Sequence, residues 1–334
     1  MHWLALDIGG VQIKAADGLG YAVSEVFPLW QQPLRLSETL REIIQAAPAS
    51  DHLAVTMTGE LADCFTTRTE GVQFILSATA MIANGRHLRV YLTSGQMVSP
   101  QLALRSPLKA ASANWHALAK YCGRFARRGL AVLIDIGSTT SDIIPLLDGN
   151  VLARGATDIE RLGCGELIYS GVVRTPLAAV ASALPYRGAM IPTAAELFAT
   201  TWDAYLIRGD LPEEPASTHT ANNKPATRIF ARDRLARMIC ADRDSFDDND
   251  ALAAAEAVAN QQLGRIAVAW GEVTGRFDQP VETVIVSGQG EFLGRQLLER
   301  LRLKCPVVSL SQELGPDMSR CAPAHALAVL AREG

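Results

Sequence analysis

The chain has 334 residues, 49% of them hydrophobic and 20% charged, with a formal net charge of −4 and six cysteines that show no paired spacing. That balance gives no electrostatic case for nucleic acid or an acidic membrane surface, which want basic patches. The scattered thiols argue against a zinc ribbon or disulfide framework and fit a reduced cytoplasmic setting. No uncharged run approaches the ~20 residues of a membrane span, and Met1-His2-Trp3 opens no basic-then-apolar leader.

In chain order, alternation of apolar residues predicts strands at 3–8, 11–17 and 20–28, then a helix capped by Ser37 and running to about 47. A strand at 52–57 ends in Thr58-Gly59-Glu60, a helix covers 71–83, and a strand runs 88–93. A long helix is predicted over 109–128, stopped by Gly129, followed by strands at 131–136, 139–147 and 150–154, with Asp148-Gly149-Asn150 as a hairpin turn. The interval 156–248 breaks this order with six prolines and a polar stretch at 213–227, which suits an inserted, substrate-shaping segment with a mobile tip. Helices at 228–241 and 249–274, a strand at 282–287, a helix to 302, a strand at 306–310 and a final helix at 323–332 complete the pattern. The length suits two domains, and mixed sheets covered by helices are expected in each.

One phrase occurs twice: Leu4-Ala5-Leu6-Asp7-Ile8-Gly9-Gly10 and Val132-Leu133-Ile134-Asp135-Ile136-Gly137-Ser138. Each copy is an apolar strand that delivers an aspartate to a small-residue turn and then re-enters an alternating run. Glycine turns let backbone N–H groups approach phosphate oxygens, and an aspartate there can address Mg²⁺ or its waters. Gly9, Gly10, Gly137, Ser138, Thr139 and Thr140 are therefore candidate phosphate ligands. When the copies are aligned, Lys14 falls opposite Asp142, so a lysine for phosphate charge faces an aspartate for the metal. Asp7, Asp135 and Asp142 form the expected metal set. A third turn, Ser287-Gly288-Gln289-Gly290, ends a buried strand before a helix and adds Gly288, Gln289 and Gly290 to the phosphate set.

Glu60 stands at a strand end, where a catalytic carboxylate and a first-turn helix acid are both reasonable readings. The segment Arg161 to Pro176 concentrates Arg161, Glu166, Tyr169, Arg174 and Thr175 among glycines, which suits a polar or anionic substrate, with a surface ion-pair network as the alternative. Asn114 completes the substrate set.

The order of these parts resembles the sugar kinase, actin and heat-shock chaperone ATPase superfamily. Its two phosphate hairpins resemble 7–14 and 135–142, its adenosine loop resembles 287–290, and its second connecting helix resembles the stretch from Cys321 to Ala328. There His325 stands where a small residue is more usual. The resemblance implies two actin/sugar-kinase-like α/β domains facing across a phosphate-binding cleft. One covers 1–108, with helix 323–334 returning to it; the other covers 109–322 and holds the insertion. Sugar kinases of this fold often carry an Asn-Asp-Ala-Asn pattern with a catalytic aspartate; the nearest stretch here is Ala111-Ser112-Ala113-Asn114, and a serine alone takes no proton at neutral pH.

Longer stretches are similar to a narrower family, the tetrahydromethanopterin-linked one-carbon pathway proteins related to the condensing enzyme of methanofuran biosynthesis. These are Thr58 to Asp63, Asp135 to Asp142, Arg161 to Pro176 and Arg234 to Asp242. The resemblance implies small-molecule partners, a furanmethyl diphosphate and a tyramine- or tyrosine-type phenol, joined with loss of diphosphate. Asp7, Lys14, Glu60 and Asp135 are then the expected catalytic residues, with Mg²⁺ as cofactor. An ATP-dependent small-molecule kinase and a nucleotide-switched binding module are the rival readings.

Overall fold

The computed structural model describes residues 1–334. Its first part contains β1 Trp3–Ile8, β2 Gln12–Ala16, β3 Ala22–Val26, α1 Leu36–Ala46, β4 His52–Met57, α2 Arg68–Ile82, β5 His87–Tyr91, β6 Met97–Val98, α3 Pro100–Ala103 and α4 Asn114–Cys122. Next come β7 Leu130–Ile136, β8 Ser141–Leu147, β9 Asn150–Val151, α5 Asp158–Gly163, β10 Leu167–Ile168, α6 Leu177–Val180, β11 Ala183–Tyr186, β12 Ala189–Pro192, α7 Thr201–Arg208, α8 Arg228–Arg237 and α9 Asp248–Thr274. The chain ends with β13 Val281–Ser287, α10 Glu291–Leu301, β14 Val307–Ser309, α11 Leu310–Leu314, α12 Pro316–Arg320 and α13 Ala322–Glu333.

The duplicated phrase proves to be a duplicated topology. One sheet runs β3-β2-β1-β4-β5-β6 and the other β10-β8-β7-β13-β14. In each, the central strand pairs antiparallel with the strand that follows it and parallel with the next long one. Alternation along the central strands divides their side chains between two layers. Leu4, Leu6 and Ile8 enter a core with Leu40, Ile43, Val72 and Ile75 of α1 and α2. Ala5 and Ala54 point the other way, against Ala117 of α4 and Leu327 and Ala328 of α13. In the second sheet Val132, Ile134 and Ile136 pack with residues of α7, α9 and α10, while Leu133 and Ile285 meet Trp115, Leu118, Ala322 and Ala326. The helices α4 and α13, packed on each other, are thus a wedge between the inner faces of the two sheets. His325 is accommodated there edge-on to Tyr121, with ring centroids 5.4 Å apart.

The structure corrects several sequence expectations. The helix predicted over 109–128 is shorter because Ser112 adopts a φ of +47°, which prevents helix before Asn114. It ends at Cys122 because the Asp148-Gly149 hairpin packs on Gly123, where a Cβ would overlap the Gly149 carbonyl. A 3₁₀ turn at Pro33–Arg35 starts α1 early, so Ser37 lies in its first turn rather than at its cap. The 156–248 segment is woven into the body: β10 extends the second sheet, and α7 and α8 pack on α9. Its tip, expected to be mobile, is tied to the body through Asn222. The buried Arg234 pairs with Asp203 at 2.7 Å and donates to Asn222 Oδ1 at 3.2 Å. No helix is long and apolar enough to cross a membrane.

Candidate active site

Both phosphate-type turns lie at the ends of the central strands and close with the same bond, Gly9 N–H to Gln12 O at 2.9 Å and Gly137 N–H to Thr140 O at 2.8 Å. Those two N–H groups, expected on phosphate, are therefore spent on the hairpins. The N–H groups of Gly10, Val11, Ser138 and Thr139 donate to no protein acceptor and are the ones left for an anion. Each turn is held from behind by a loop. Phe27 and Leu29 N–H donate to Val11 and Gly10 carbonyls at 2.7 and 2.9 Å; Val172 N–H donates to Gly137 O at 3.0 Å, and Val173 and Arg174 N–H donate to Ser138 O at 3.0 and 2.9 Å. The two backing loops meet: the exposed Arg174 guanidinium lies over the Trp30 ring, 5.2 Å from its centroid. Sequence reasoning missed Trp30, which belongs to no motif.

The ladder registers pair Asp7 with Lys14 and Asp135 with Asp142, so the alignment of Lys14 with Asp142 is structural. Asp7 is buried; its Oδ2 accepts from Asn114 Nδ2 at 3.4 Å and its Oδ1 has no partner. Burial pushes its pKa up, against the pull of Lys14 and Asn114. Asp135 is raised to about 6, first by burial and then by the Asp142 charge, with Ser287 and Lys14 opposing. Lys14 therefore lies between the two aspartates electrostatically. No three His, Cys, Asp or Glu side chains converge as a complete metal cage. Two carboxylates, one with an unpartnered buried oxygen, nonetheless fit Mg²⁺, which binds through one or two carboxylates and completes its shell with water and substrate phosphate.

Asp142, Arg161, Glu166 and Thr175 face inward. Asp142, expected on the metal, gives Oδ1 to Arg161 Nη2 at 2.6 Å. Arg161, expected at substrate, is 1% exposed, donates also to Glu166 O at 3.1 Å, and stacks over Trp115 at 4.0 Å. Glu166 accepts from Arg154 N at 2.7 Å, Gly155 N at 3.0 Å and Arg276 Nη1 at 2.6 Å, which satisfies both oxygens internally. The Thr175 hydroxyl exchanges bonds with Gly171 N and O at 2.8 and 3.1 Å. Tyr169 is 61% exposed. The loop 287–290 crosses the end of β7: Gly290 N–H donates to Ile136 O at 2.8 Å, and Gly288, at a φ of +87°, leaves no room for a Cβ beside that carbonyl. Gln289 is partly exposed on this loop.

Glu60 anchors a second polar cluster. Arg68 Nη2 contacts Glu60 Oε1 at 2.6 Å, the Ser112 hydroxyl at 2.9 Å and Asp158 Oδ2 at 3.0 Å, and Ser112 Oγ lies 2.9 and 2.8 Å from the two carboxylates. Glu60 Oε2 is buried without a partner, and burial raises this carboxyl's pKa despite Arg68. Arg68 and Asp158 went unnoticed in the sequence because neither belongs to a motif; the structure makes each the first residue of a helix, α2 and α5. Capping signals at Thr67 and Thr157 mark where those helices begin, but nothing marks that they meet.

This topology defines a two-domain α/β protein of the actin-like and sugar-kinase fold. The PilM–PilN type IV pilus biogenesis complex contains a chain of similar fold, at a TM-score of 0.51 and 12% identity, covering 98% of each chain. The chain belongs to the hydantoinase/oxoprolinase family, whose model matches residues 51–333. A Methanocaldococcus jannaschii protein named (4-{4-[2-(gamma-L-glutamylamino)ethyl]phenoxymethyl}furan-2-yl)methanamine synthase is 31% identical over 330 residues, 98% of this chain and 96% of that protein. Its Methanococcus vannielii namesake is 27% identical over 201 residues, 60% of this chain and 89% of that protein.

Proposed function

We propose that the protein is a cytoplasmic transferase that joins an aminomethyl-bearing furanmethyl diphosphate to the phenol of a tyramine- or tyrosine-type acceptor, releasing diphosphate. The observation that carries this reading is the near full-length likeness to a synthase named for an aryloxymethyl furan methanamine. The paired turns support it by offering free N–H groups and a lysine to an anion. Under this reading 1–108 and 109–322 act as two jaws on the diphosphate.

The phenol oxygen forms a bond to the furanmethyl carbon as the carbon–oxygen bond to diphosphate breaks, and the phenolic proton passes to Glu60. A phenol of pKa ~10 is a weak nucleophile at neutral pH. The furan ring donates electrons to its exocyclic methylene, so departure of the leaving group can run ahead of attack. The main work of the site is then to draw charge onto diphosphate through Lys14 and the N–H groups of Gly10, Val11, Ser138 and Thr139. Mg²⁺, held by Asp7 and Asp135, would supply Lewis-acid stabilisation of that leaving group.

Incubation of the purified protein with the furanmethyl diphosphate and a phenolic acceptor should release diphosphate and yield an aryl ether detectable by mass. Consumption of ATP with a small hydroxyl substrate, and indifference to the furan diphosphate, would replace this reading with the kinase. Lys14→Ala is expected to raise the KM for the diphosphate about tenfold while changing the acceptor KM less than about twofold. Equal losses would move Lys14 off the phosphate. Glu60→Gln, which can keep a hydrogen bond from Arg68, should lower kcat only several-fold, because proton removal comes late. A loss as large as that of Asp135→Ala would make proton transfer central.

A further inference from the structure

The two halves repeat one more feature. In the parallel ladders Asp7 is in register with Thr56, and Asp135 with Ser287. Side chains at in-register positions of parallel strands emerge on the same face. That face is the inner one, since Ala5 and Ala54, two residues back, line the wedge in one half, as Leu133 and Ile285 do in the other. The equivalence extends through the following loops: Gly59 N–H donates to Ile8 O at 3.0 Å, as Gly290 N–H donates to Ile136 O at 2.8 Å.

Thr56 and Ser287 are each 0% exposed, and neither hydroxyl has a hydrogen-bond partner. A buried hydroxyl left unsatisfied is costly, and here the same deficit stands at equivalent positions in both sheets. Each neighbours one of the two aspartates at the strand ends. Asp7 Oδ1 is itself buried without a partner, so beside Thr56 an unused donor and an unused acceptor occupy in-register positions. Ser287 lies near enough to Asp135 to influence it, though without a hydrogen bond of good geometry.

We propose that Thr56 and Ser287 are a matched pair of positioning residues: each hydroxyl donates to its neighbouring aspartate when the cleft holds diphosphate, fixing that carboxylate in the orientation the anion complex requires. The inference rests on the proposed function for the identity of the ligand, diphosphate, and adds the residues that orient Asp7 and Asp135 on it. Apolar replacements should then be harmless to the empty protein and harmful to the complex, the reverse of a structural role.

The test uses the full chain, with inorganic pyrophosphate in Mg²⁺-containing buffer as the probe and calorimetric affinity as the readout. Thr56→Val and Ser287→Ala should each leave the ligand-free melting temperature unchanged or higher while weakening pyrophosphate binding roughly tenfold, the scale of one charge-assisted hydrogen bond. Thr56→Ser should restore the affinity. Wild-type affinity in both apolar variants would overturn the proposal. So would a fall in ligand-free melting temperature without rescue by serine, which marks packing, or failure of the wild type to bind pyrophosphate. If pyrophosphate binding depends on the hydroxyls but no ether forms from any furan diphosphate, the positioning role stands and the assigned reaction falls.

Discussion

Asp135→Asn is expected to cut turnover more than tenfold, at least about 1.4 kcal/mol of barrier, and at the same time to raise the stability of the ligand-free protein at about pH 7.5. The activity loss follows from its place beside the Ser138 and Thr139 turn, where the proposed leaving group sits. The stability gain follows from its surroundings. Burial and the Asp142 charge raise its pKa to about 6, above the ~3.9 of an unfolded aspartate. Below about pH 4 the group is protonated in both states and costs nothing. As pH climbs from about 4 to about 6 the unfolded chain loses this proton before the folded one, so folding stability falls through that window. Above it the ionised carboxylate costs about 2 kcal/mol, the shift being discounted because Asp135 is partly exposed. Asparagine carries no such cost. Melting curves of both proteins from about pH 4 to 8 should therefore separate through the window and run parallel above it. Mg²⁺ with pyrophosphate should stabilise the wild type and not the variant, by mass action. Coincident curves at neutral pH would mean that the cleft does not strain Asp135.

The duplicated strand-turn was legible because backbone geometry and side-chain pattern point the same way there. An apolar run, an aspartate and a glycine turn leave few alternatives, and the ladder registers put Lys14 and Asp142 at matching positions. What sequence reasoning could not see is which hydrogen bonds are already spent. Gly9 and Gly137 close their own hairpins, so the donors free for an anion are one and two residues further on. Glu166 read as a substrate residue, yet its oxygens are taken by Arg154, Gly155 and Arg276, the last 110 positions away. The Arg68 cluster joins residues separated by 8, 44 and 90 positions. Such contacts depend on how the sheets and the α4–α13 wedge assemble, and no local periodicity encodes them. The 109–128 helix failed for a related reason. Its apolar spacing is genuine, but a left-handed Ser112 and a hairpin packed on Gly123 trim both ends.

Arg161→Met should produce the largest loss of stability, about 3–5 kcal/mol by denaturant titration, the usual cost of removing one partner of a buried ion pair. Methionine can fill much of the volume over Trp115, so little of that loss should come from packing. The cost arises because Asp142, buried and raised in pKa by burial, has Arg161 as its main counter-charge. Adding Asp142→Asn to the same chain removes the stranded charge and should recover most of the stability, while Asp142→Asn alone strands the buried Arg161 guanidinium and should cost a comparable amount. A single Arg161→Met variant within about 1 kcal/mol of wild type would show that Asp142 does not need the pair. The asymmetry between the halves gives the result its functional meaning. At one ladder position the first half keeps Lys14, whose charge reaches both Asp7 and Asp135. At the matching position the second half places an acid and neutralises it with a buried arginine. Left unpaired, that acid would raise Asp135 further and put negative charge behind the turn proposed to receive an anion. Under the proposed function, neutralising Asp142 would let both halves of the duplicated strand-turn present an attractive face to the same diphosphate.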